Sequence, residues 1–212
     1  GRRFMRRSAV IVLFWGSLWG LMEATLGYLL HFAAVAIPGL PGFLMFPFAF
    51  ALMHRAVKEA GVPSAAFYAS IVAASVKLTD FLVPGHDPIR VSNPALAILM
   101  EGLAVYAVMA YRDRKREGLV PVHAFGMGVL WRAMFSAYLW AISLFGLPAA
   151  LVTSGPWPLL RFIFLESFVN AVIMGGYLAM DKKLGIRGRT ASTVPALAVG
   201  LLAAALAANY LL

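Results

Sequence analysis

Seven polar side chains stand inside segments that are otherwise apolar: Glu23, Lys77, Asp80, Glu101, Arg132, Glu166 and Asn170. A charge at mid-membrane depth costs about 2.5–3.5 kcal/mol on insertion scales, so each charged group needs a partner, a proton or water. Counting from the segment ends puts Glu23 and Arg132 near the middle. Lys77, Glu101 and Glu166 fall in one half, the outer one, and Asp80 lies close to its rim. Glu166 and Asn170 are four apart and Lys77 and Asp80 three apart, so each pair shares a helix face. Ser136 follows Arg132 at the same spacing, with Trp131, Phe135, Tyr138 and Trp140 nearby.

Three deep carboxylates (Glu23, Glu101, Glu166) face two deep bases (Lys77, Arg132), which leaves at least one acid to hold a proton or a ligand. The chemistry expected is solute binding. The glutamates accept hydrogen bonds from, or balance a cationic group of, a small polar solute; Lys77 and Arg132 set their charge state or bind an anionic group; Asn170 orients the solute. Two other readings compete. The charges of a membrane anchor or assembly subunit would serve helix packing alone, and an intramembrane enzyme would use two of the carboxylates as acid and base.

The elements that must position these groups follow from composition. The 212 residues are 62% hydrophobic and 13% charged, with a mean hydropathy of +0.83, far from the roughly 25% charge of soluble domains. One integral membrane domain over residues 1–212 is expected, an all-α polytopic bundle. Seven apolar segments approach the roughly 20 residues of a membrane span: Ser8 to Ile37, Gly42 to Val57, Ser64 to Val83, Pro94 to Tyr111, Val122 to Phe145, Trp157 to Met180 and Thr193 to Leu212. The second is short and contains Pro47, so a kinked or re-entrant element, and six spans, is the alternative. The basic start and apolar run read as a retained first span and not as a cleaved signal.

Lys and Arg concentrate on the cytoplasmic side of membrane proteins. With seven spans and the N-terminus inside, 14 of the 18 basic residues fall on inner segments, in clusters around Arg2 to Arg7, Arg55 and Lys58, Arg112 to Arg116 and Lys182 to Arg189. Only Arg90 and Arg161 lie at outer edges. The net charge of +9 is therefore topological, and no nucleic-acid partner is expected. After the first span come three hairpins, each descending from an external proline (Pro41, Pro94, Pro158) and re-entering after a Val-Pro pair (Val62-Pro63, Val120-Pro121, Val194-Pro195), which is ordinary helix-start chemistry or a duplicated hairpin. The outer segment PGHDPIRVSNP reads as a connector or a pocket cover.

No cysteine is present, which excludes disulfides, thiolate metal sites and cysteine nucleophiles. His31, His54, His86 and His123 are scattered, no HExxH occurs, and no phosphate loop or nucleotide-binding motif is found, so no metal and no cofactor is expected. Gly16, Gly20 and Ala24, four apart, give the first helix a bare face for close helix packing.

With that motif the chain resembles the substrate-binding S components of energy-coupling factor transporters, which are small helical membrane bundles. The resemblance implies a multi-pass protein of a prokaryotic inner (cytoplasmic) membrane that takes a vitamin or similar micronutrient from outside. It also implies that the small-residue face of the first helix meets a membrane coupling subunit working with ATPases. S components usually have six spans, and Thr193 to Leu212 would be an addition.

Overall fold

A computed structural model describes residues 2–33, 40–85, 87–184 and 193–211. All regular structure there is helical. Helix α1 (Arg2–Met22) passes through a π-helical turn (Glu23–Gly27) into α2 (Tyr28–Ala33). Next come α3 (Leu40–Ala60), α4 (Ser64–Leu78) with a 3-10 turn (Thr79–Leu82), α5 (Pro88–Lys115) and α6 (Pro121–Ser143). Short helices α7 (Ala150–Thr153) and α8 (Pro156–Leu160) lead through a second π turn (Arg161–Leu165) into α9 (Glu166–Leu184), and α10 (Pro195–Leu211) ends the chain.

Five helical stretches are long and apolar enough to cross a membrane: 6–30, 64–82, 88–115, 121–143 and 156–184. Large apolar side chains face outward, with Leu82 80% and Phe145 83% exposed, whereas Arg132, Asn170 and Ser167 are wholly buried. Such an inverted distribution, apolar outside and charged inside, suits a lipid solvent and makes the chain a multi-pass membrane protein.

Helix starts follow proline chemistry. Pro121 and Pro195 open α6 and α10, where a missing N–H costs nothing, and Pro63 precedes α4. The fourth segment begins earlier than the expected Pro94. Asp87 accepts from the Ile89 N–H at 3.0 Å and caps a helix with Pro88 in its first turn, so most of the expected connector is helical and Pro94 lies inside α5. His86 is outside the described residues. The second segment is one unbroken helix of 21 residues despite Pro47; it is not among the five stretches above.

The core forms where α3 lies among α1, α4 and α9, with α5 and α6 closing the bundle and α10 against α1. Phe46, Phe50, Met53, Trp19 and Met127 fill it. Glycines set the closest approaches. A methyl group on Gly16 would stand 2.6 Å from Val72 Cβ, one on Gly20 3.0 Å from Val76 Cγ2, and one on Gly102 would overlap Ser70. The bare face of α1 is therefore occupied by α4. Ala24, at the end of that stripe, is buried too.

At one end of the bundle the basic residues gather. There Lys58 pairs with Asp181 at 2.8 Å, the His54 ring nitrogen Nδ1 meets the Tyr177 hydroxyl at 3.2 Å, and Trp15 donates to Glu59 at 3.0 Å. These contacts join α3 to α9 and α1. His123 accepts from the Val120 N–H at 3.2 Å and caps α6, so His54 and His123 both have structural work.

Candidate functional site

The polar side chains expected to share one recess occupy two places, with Glu101 between them. The first is a lock around Arg132. Its guanidinium donates to Asn170 Oδ1 at 2.7 Å, to the Gly42 carbonyl at 3.0 Å and to Ser167 Oγ at 3.2 Å, and it lies 3.6 Å from Glu166. Asn170 in turn donates to the Phe43 carbonyl at 2.7 Å and the Gly42 carbonyl at 3.3 Å. The rings of Trp131 and Phe162, 4.5 and 5.3 Å from the guanidinium carbon, supply π faces that offset the charge. Glu166 presses on Gly42, where a side chain would overlap its carboxylate.

This lock explains how α3 starts. The first turn of a helix already uses its carbonyls internally, yet Gly42 and Phe43 also receive side-chain donors from α6 and α9, so three helices are tied at one level. Arg132, Glu166 and Asn170 thus belong to a buried structural network, because their hydrogen-bonding groups are largely spent on each other and on α3.

The second place is a cavity of about 410 Å³ at the end of the bundle opposite the basic residues, lined among others by Glu23, Lys77, Asp80, Arg90 and Asn209. Lys77 pairs with Asp80 at 2.6 Å. Asn209 donates to Asp80, to the Val76 carbonyl at 3.1 Å and to Thr79 Oγ1 at 3.2 Å, which stitches α10 to the end of α4. Glu23 accepts from the Trp19 indole N–H at 3.0 Å. Arg90 is exposed and makes no ion pair among the described residues.

Glu101 connects the two. On α5, Val91 and Pro94 line the cavity, and Ile98 and Glu101 continue the same face inward by the i, i+3, i+7, i+10 rule. Glu101 is buried without a hydrogen bond or ion pair among the described residues, and it interacts electrostatically with both Glu23 and Arg132. On α6, three buried donors meet no acceptor among the described residues: Trp131 Nε1, Arg132 Nε and Ser136 Oγ. Buried polar groups are ordinarily satisfied, so these donors, with the Glu101 carboxyl in the electrostatic reach of Arg132, make this part of the interior polar enough to take a guest molecule or water.

Each irregular helical turn adjoins this region. Glu23 opens one π turn, Glu166 follows the other, and Asp80 sits in the 3-10 turn. Such turns re-aim a side chain by adding or removing a residue from the helical register, and they recur at functional sites. At the first, the Thr25 hydroxyl bonds the Leu21 carbonyl at 2.7 Å and competes for the helix's own acceptor.

Arg90, Asn209 and Tyr28, which line the cavity, were not among the candidates read from the sequence. Arg90 and Asn209 sit at or beside segment ends, where polar residues look like ordinary rim groups, and Tyr28 lies inside an apolar segment, where an aromatic looks like packing; a signal existed only in Arg90 being one of two bases on the side depleted of them. Among the described residues no group of three or more His, Cys, Asp or Glu is placed to hold a metal ion. Comparison with protein-family models, with curated proteins and with solved structures finds no match for this chain.

Proposed function

We propose that the chain is a membrane transport protein that captures a small polar solute in the cavity beside Glu23, with the basic end of the bundle facing the cytoplasm and all seven long segments crossing the bilayer. The observation that carries this reading is the cavity itself. Charged groups of both signs and a carboxamide surround about 410 Å³ at one end of an otherwise apolar bundle; Lys77, Asp80 and Asn209 contact one another, and Glu23 and Arg90 border the same open space, which packing alone does not call for. The Lys and Arg distribution supports an outward orientation of that end.

Glu23 and Glu101 form the binding side of this assignment; Arg132, Glu166 and Asn170 hold the frame. A screen of small polar solutes by thermal shift in detergent separates the two. Glu23→Gln and Glu101→Gln are expected to keep the fold and lose the ligand-induced shift, while Glu166→Gln lowers the melting temperature with no solute added. If Glu23→Gln and Glu101→Gln instead weaken the protein or release a partner subunit with no solute effect, the chain is an assembly subunit and the transport reading fails. Resemblance to S components would supply energy through a coupling subunit and ATPases. Because α4 covers Gly16 and Gly20, such a subunit would dock on another surface.

A further inference from the structure

The charges around the cavity are arranged in order of depth. Its middle is self-neutralised: Lys77 is held at 2.6 Å by Asp80, and Asn209 donates to the same carboxylate. The inner wall is acidic. Glu23 lines the cavity, and the carboxyl of Glu101, two turns beyond Pro94 on α5, lies within its electrostatic reach. The rim is basic, since Arg90 lies in the first turn of α5, exposed, with no ion pair among the described residues.

From this gradient we infer that the solute is a zwitterion, a small molecule whose ammonium end enters first and rests against Glu23 and whose carboxylate or similar anionic end meets Arg90. The inference rests on the cavity being a solute site. A pure anion would bring like charge against Glu23 in a low-dielectric interior, where repulsion is poorly screened. A pure cation would leave Arg90 without its counter-charge and place positive charge beside it. Only a molecule carrying both groups matches both ends, and the walls between them, already paired, add no net charge to oppose it.

The test uses the purified full chain in detergent and probes that differ only in charge. Glycine, γ-aminobutyrate and ε-aminocaproate span three lengths of zwitterion; butylamine and butyrate each carry one end. At least one zwitterion is expected to bind about ten-fold or more tighter than either single-charge probe. Glu23→Gln and Arg90→Gln should each bring its affinity down to that of the probe retaining the remaining charge. Arg90 is exposed, so its variant tests binding without threatening the fold.

Butyrate or butylamine binding as tightly as the best zwitterion, or Arg90→Gln having no effect, overturns the zwitterion assignment, while the solute site stands as long as a probe binds the wild type and a substitution in the cavity lining weakens that binding. A wild type that binds none of the five probes overturns it as well, and the wider solute screen then decides the site on its own.

Discussion

Arg132 is the residue whose surroundings are most completely built. Removing it leaves Glu166 without the buried cation it pairs with and strips donors from the Gly42 carbonyl, Asn170 and Ser167. Breaking a buried pair from one side typically costs about 3–5 kcal/mol. Arg132→Met should therefore fall steeply in thermal stability in detergent, and Glu166→Gln on that background should recover part of the loss by removing the stranded charge. A double variant no better than the single would show that the ion pair is not the fastening. Asn170→Leu removes donors from two α3 carbonyls, and leaving buried partners unsatisfied costs about 1–3 kcal/mol; a melting temperature equal to wild type would contradict that role. The sequence exposed Arg132, Glu166 and Asn170 as polar residues out of place. It did not show that they would find each other, since their pairing depends on α3 arriving between α6 and α9. Nor did counting acids against bases reveal that Lys77 would be taken by Asp80 on its own helix.

Among the elements, the packing of α4 is governed by glycine. Gly102 admits Ser70 so closely that an added methyl group would overlap it, and overpacking of this kind costs about 1–3 kcal/mol. Gly102→Ala should destabilise by that amount and Ser70→Gly should relieve it in the double variant, measured as recovery of the melting temperature. No relief would mean that α4 and α5 meet elsewhere. Gly16 and Gly20, by contrast, were legible as a packing face from spacing alone, although spacing said nothing of which helix would use it. Long apolar runs gave the helices directly. The π turns at Glu23–Gly27 and Arg161–Leu165 did not show in the pattern, because hydrophobic periodicity tolerates one extra residue where neighbouring faces are all apolar. The start of α5 was missed for a related reason: Asp87 and Pro88 form a cap and first turn that read equally well as a loop.

At the scale of the whole molecule, topology and the cavity stand or fall together. The absence of cysteine makes labelling of single introduced thiols clean. Gly118→Cys, in the connector after α5, and Leu147→Cys, in the connector after α6, flank one helix of 23 residues. In intact cells the first should resist a membrane-impermeant maleimide and the second react; equal reactivity at both would mean that α6 does not cross or that the orientation is reversed. The most direct measurement concerns the cavity itself. Val91 lines it although little of its surface is exposed, while Val105, on the same helix, belongs to the apolar core. With a small water-soluble thiol reagent added from outside, Val91→Cys is expected to react, to be protected by a bound solute, and Val105→Cys to stay inert; if Val91→Cys is as inert as Val105→Cys, no wet recess opens to the exterior and the account is wrong.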